Sequence, residues 1–106
     1  MSLPPTTKQF REVLGHALET HNVKILQSRT RQQQGRDYSL DIETYWANRK
    51  NLRKVTYKID PDTPADEFQK VIDDLRFWFT LSGQDKFIKI DFHRYYKKIS
   101  AWCLIS

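Results

Sequence analysis

Asp91, His93, Arg94 and Tyr95 lie within five positions of one another, and in a strand Asp91 and His93 share a face. A His, an Arg and a Tyr can cleave a phosphodiester by acid–base chemistry. The same combination is common on protein surfaces, so no catalytic residue is assigned from it. Asp41 and Glu43 also share one strand face, as in a metal-dependent nuclease, but such a site needs a further acid. Cross-strand pairing of these two acids with Lys54 and Lys58 accounts for them more simply. No zinc-ligand spacing, glycine-rich phosphate loop or serine elbow is present. The expectation is a binding protein without metal or cofactor.

The single cysteine, Cys103, can make neither an internal disulfide nor a cysteine-based zinc site, which fits an intracellular, cytoplasmic setting. The string Cys103-Leu104-Ile105-Ser106 resembles the prenylation box of small GTPases, with Lys97 and Lys98 upstream. Farnesylation requires a mobile, extended tail. Here the chain is apolar from Ile99 onwards, as in a packed element, so C-terminal lipidation is not expected.

Charge is segregated along the chain. Arg49, Lys50, Arg53, Lys54 and Lys58 fall between Thr44 and Ile59 with no acid among them. Lys24, Arg29, Arg31 and Arg36 form a second acid-free group, and Lys86, Lys89, Arg94, Lys97 and Lys98 a third, against Asp91 alone. The acids gather at Asp60, Asp62, Asp66, Glu67, Asp73 and Asp74. With a net charge of +5, this layout points to a polyanion such as nucleic acid, or to an acidic partner. Arg49, Lys50, Arg53, Lys54, Lys58, Arg31, Arg36 and Lys89 are its candidate contacts. Tyr45, Trp46, Tyr95 and Tyr96 are close enough in sequence to stack on bases. The plainer alternative is a solvated face whose lysines discourage edge-to-edge aggregation.

The elements that must present these residues follow from periodicity. Phe10, Val13, Leu14, Ala17, Leu18 and His21 recur at three and four, which predicts a helix over 7–21. Thr6 and Gln9 form a capping box at its start, and Gly15 lies off the apolar stripe. Alternation predicts strands over 23–29, 38–45 and 52–59, joined by short polar connectors into an antiparallel meander. Thr63 as N-cap and Pro64 at the first helical position open a second helix. Its buried stripe is Phe68, Val71, Ile72, Leu75, Trp78 and Phe79, and Ser82-Gly83 ends it. A strand over 87–94 follows. The tail over 95–106 fits either period, and its β-branched and aromatic content favours a strand.

The resulting order, α-β-β-β-α-β(-β), predicts a single α+β domain over residues 1–106: a mainly antiparallel sheet with two helices on one face and a polar opposite face. Double-stranded-RNA-binding domains share the α-β-β-β-α order but open their second helix on a basic cluster. Here that position reads Pro64-Ala65-Asp66-Glu67-Phe68, which is acidic, so only the sheet and hairpins are left to grip a polyanion.

At 100° per residue, Phe77 falls about 180° from Phe68, with Leu81 nearby, so both face outward. Either the C-terminal tail covers them or a second subunit does. Phe77 and Leu81 on this outward side, and Trp102 in the C-terminal strand, whose edge offers a second contact, are therefore candidate interface residues of a homo-oligomer or protein complex. With 106 residues and three Trp, five Tyr and six Phe, the chain has enough apolar area for a packed core. No run approaches the roughly 18–20 apolar residues of a membrane span. The segment MSLPPTTKQF has neither the basic nor the apolar region of a secretory leader, so none is expected.

Overall fold

A computed structural model describes residues 4–32, 52–86, 88 and 90–104. Its elements run α1 (Thr7–Thr20), β1 (Ile25–Gln32), β2 (Leu52–Ile59), α2 (Ala65–Leu81), β3 (Ile90–His93) and β4 (Lys98–Leu104). The four strands form one antiparallel sheet in the order β1-β2-β4-β3. This is the α+β architecture that the periodicity predicts.

Helix α1 starts where the capping box places it. The Thr6 hydroxyl accepts from the Gln9 amide at 3.1 Å, and the Gln9 side chain accepts from the Thr6 amide at 3.0 Å. It stops through a signal the spacing did not announce. Asn22 takes a left-handed φ of 54°, and the amides of Asn22 and Val23 donate to the carbonyls of Glu19 and Leu18. This pair of bonds satisfies the last helical carbonyls, with Asn in the role usually taken by Gly. Helix α2 ends in the same motif with Gly83 at φ 73°: Gly83 and Gln84 donate to Thr80 and Phe79. Its start lies one residue later than predicted. Pro64 is the N-cap, because its carbonyl accepts the first helical bond from Phe68, and no side chain caps the turn. Asp66 and Glu67 in the first turn complement the positive end of the dipole instead.

The sheet departs from the predicted meander. In a meander, the stretches 23–29 and 52–59 would flank a middle strand and run parallel. Here β1 and β2 are direct antiparallel neighbours, with Arg29 opposite Thr56. The stretch 38–45 lies outside the described residues. Alternation identifies a strand and its faces but says nothing of its partner. The tail does form a strand, and β4 inserts between β2 and β3, which therefore run parallel to each other and are linked through α2. The Leu104 amide also donates to the Pro5 carbonyl at 2.9 Å, tying the start of α1 to the end of β4.

Both helices pack on one sheet face. Phe10, Leu14 and Ala17 of α1 and Phe68, Val71, Ile72, Leu75 and Phe79 of α2 bury against Val55, Tyr57 and Ile59 of β2 and Ile99, Ala101 and Cys103 of β4. The Phe10 ring stacks between Phe79, at 5.6 Å, and Tyr57, at 6.0 Å. His21 ties the two helices together: its Nε2 lies 2.7 Å from Asp74 Oδ2 and its Nδ1 3.8 Å from Glu67 Oε2.

Trp78 is not in this core. It is 43% exposed and meets His16 edge to face at 5.9 Å. At 100° per residue it falls about 80° from Phe68, on the flank of α2 beside α1 and beyond the sheet. Gly15 sits on the exposed side of α1, and a Cβ added there would meet nothing within 4 Å. Gly15→Ala should therefore stabilise the fold by roughly 0.5–1 kcal/mol through helix propensity alone. An unchanged midpoint in urea denaturation would contradict that.

Candidate functional site

The register across the sheet decides which of the basic residues meet. Val55, Tyr57 and Ile59 face the helices, so Lys54, Thr56 and Lys58 must face away from them. Pairing with β1 brings Gln27, Arg29 and Arg31 to the same far face, opposite Lys58, Thr56 and Lys54 respectively. Pairing with β4 adds Lys98, Ser100 and Trp102, opposite Lys58, Thr56 and Lys54. The result is a shallow concavity of about 390 Å³ lined by Gln27, Arg29, Arg31, Lys54, Thr56, Lys58 and Lys98.

Two pairs of like charges stand directly opposite one another in this face: Arg31 against Lys54, and Lys58 against Lys98. Such pairs are destabilising, each by on the order of a few tenths of a kcal/mol. Among the described residues, no carboxylate lies within 4 Å of any of the five cations Arg29, Arg31, Lys54, Lys58 and Lys98. The predicted partners of Lys54 and Lys58, Asp41 and Glu43, lie outside the described residues. Six of the described acids, Asp60, Asp62, Asp66, Glu67, Asp73 and Asp74, lie on α2 and its entry, in the opposite layer, where Glu67 binds Lys70 at 3.1 Å and Asp74 binds His21; Asp91 of β3 is the described acid on the far face, opposite Ser100. The acid cluster of the sequence thus falls in the layer opposite the five cations.

Apolar rings border the cations. Trp102 belongs to the far face by register yet is only 6% exposed, and the Lys54 ammonium sits 5.8 Å from its ring centroid. Beside it, the Thr56 and Ser100 hydroxyls are 3.1 Å apart. At the other end, the turn between β3 and β4 carries Tyr95 and Tyr96, with Lys98 5.5 Å from the Tyr96 ring centroid.

Of the predicted contact residues, the structure brings Arg31, Lys54 and Lys58 together. Arg53 is placed elsewhere: it lies opposite Cys103, half-buried, on the helix side of the sheet. Arg36, Arg49, Lys50 and Lys89 lie outside the described residues. Arg29 and Lys98 complete the cluster, and strand alternation was the signal for both: Arg29 keeps step with Arg31, and Lys98 is out of step with Ile99, Ala101 and Cys103.

The other constellations do not assemble in the same way. Asp91 and His93 share the far face of β3, and no hydrogen bond joins them. No group of three metal-ligating side chains forms among the described residues, and no described helix is long and apolar enough to cross a membrane. Cys103 is fully buried in β4, and burial pushes its thiol up to about 12, so it stays protonated and non-nucleophilic at neutral pH. The prenylation-like string therefore begins at a cysteine locked inside the sheet.

On the helix layer, Phe77 and Leu81 are 60% and 64% exposed beside Trp78. The C-terminal strand does not cover them, because β4 lies within the sheet, between β2 and β3. No protein-family model, curated protein or solved structure matches this chain.

Proposed function

We propose that this chain is a small non-enzymatic binding module that holds nucleic acid, or a similar polyanion, on the far face of its sheet. The observation that carries the reading is the two like-charge pairs, Arg31 opposite Lys54 and Lys58 opposite Lys98, which line one shallow concavity with no carboxylate within 4 Å among the described residues. A phosphate seated between the members of either pair turns a repulsion into two attractions. The hydroxyl of Thr56 lies in the same row as Arg29 and can donate to a phosphate oxygen. The acidic helix layer disfavours a polyanion on the other side and so orients the encounter. A labelled mixed-sequence oligonucleotide titrated between 50 and 200 mM salt tests this. Five engaged cations give a log–log slope of about −3.5 for a single strand, at roughly −0.7 per phosphate. A slope near zero removes the proposal.

A second reading rests on Phe77, Trp78 and Leu81, three large apolar side chains exposed side by side on α2. Under this reading a second copy of the chain covers them. Light scattering of the wild type should then give twice the monomer mass, and Phe77→Ser should give the monomer. The same variant should hold its stability within about 0.5 kcal/mol, because the side chain is exposed within one copy. A wild type of monomer mass removes this second reading.

A further inference from the structure

We infer that the module takes single-stranded nucleic acid, RNA or DNA, with bases stacked on Tyr95 and Tyr96; this rests on the polyanion reading of the far face. The two tyrosines form the tip of the turn between β3 and β4 and are 88% and 62% exposed. A ring so exposed contributes little to the fold. The pair makes contacts of its own instead: the two rings meet edge to face at 5.0 Å, and Lys98 lies over Tyr96. Lys98 also lines the concavity, opposite Lys58. The stacking rings and the phosphate-binding cations are therefore joined through one side chain.

The geometry sets out a path. A strand whose phosphates lie along Lys98, Lys58 and Arg29 leaves the sheet at the turn, where its next base meets Tyr95. Tyr96, held between Lys98 and Tyr95, braces that ring. Every base has a flat face, so such stacking tolerates any sequence but requires that the base be unpaired. A duplex keeps its bases stacked inside and offers this turn only its backbone.

The test uses a 12-nucleotide single strand, its duplex and an abasic strand of equal length, each as RNA and as DNA where chemistry allows, titrated at 50 mM salt. The wild type should bind the single strand at least about tenfold more tightly than the abasic strand, and more tightly than the duplex. Replacing both rings (Tyr95→Ala with Tyr96→Ala) should remove that margin, so that the single strand and the abasic strand bind alike. Tyr95→Phe with Tyr96→Phe should restore it, since the ring and not the hydroxyl does the stacking. Preference for the RNA or the DNA strand identifies the natural sugar, and either supports the inference. Equal affinity for the single and abasic strands, or an alanine variant indistinguishable from the wild type, overturns it and leaves the polyanion reading standing. Failure of the wild type to bind any of the three probes overturns that reading and this inference together.

Discussion

Phe79→Ala should destabilise the protein by about 3–5 kcal/mol, a large part of the roughly 5–15 kcal/mol that holds a domain of this size together. Phe79 is buried, and its ring lies nearly parallel to Phe10, at an interplanar angle of 8°. Phe10 in turn stacks on Tyr57, so the three rings connect both helices to β2. Alanine leaves the end of α2 intact, because the Phe79 carbonyl still accepts from the amides of Gln84 and Asp85. The loss is therefore one of packing: the removed ring leaves a cavity that Phe10, pinned from its other side, cannot move to fill. In urea denaturation the midpoint should fall with little change in slope. Trp78→Ala, one residue earlier, is the contrast, since its side chain lies at the helix flank and is nearly half exposed. A Trp78 variant that loses more than the Phe79 variant would place the wrong face of α2 against the sheet.

That contrast shows where sequence reasoning reached and where it stopped. The 3- and 4-residue spacing located both helices, because burial on one side of a helix leaves a local record in the chain. It misplaced Trp78, because the width of the buried stripe depends on what lies beside the helix, and on that flank α2 meets polar side chains of α1 and its cap, His16 against Trp78 and His21 against Asp74, instead of the apolar sheet. The strands over 52–59 and 98–104 were legible from alternation and composition. Their pairing was not, since inserting β4 between β2 and β3 is a contact between distant parts of the chain. The candidate site shows the same division. A run of basic residues located Lys54 and Lys58, but a run ignores the period of two, and so it swept in Arg53, which alternation sends to the helix side with Val55. Alternation puts Arg29 in step with Arg31 and Lys98 out of step with Ile99, but only the pairing of three strands shows that like charges confront each other.

That confrontation gives the charge-reversed variant a small effect on folding and a large one on binding. In Lys54→Glu with Lys58→Glu, each new carboxylate stands directly opposite a cation: position 54 opposite Arg31, position 58 opposite Lys98. Two repulsive pairs become attractive ones, each worth roughly 0.2–1 kcal/mol. The gain at position 54 is offset by loss of the contact between Lys54 and Trp102, about 0.5–1 kcal/mol at a partly exposed site. Stability should therefore stay within about 1 kcal/mol of the wild type. Binding should fall steeply. Two charge-assisted phosphate contacts at about 1.5 kcal/mol each correspond to roughly a hundredfold loss of affinity, before the repulsion of the new carboxylates is counted. The salt slope should also lose about 1.4, the share of two phosphates on a single strand. A residue retained for folding alone loses stability when it is changed, whereas one retained for a ligand need not. If the variant melts like the wild type and still binds an oligonucleotide with unchanged affinity at low salt, the far face of the sheet is not the binding surface.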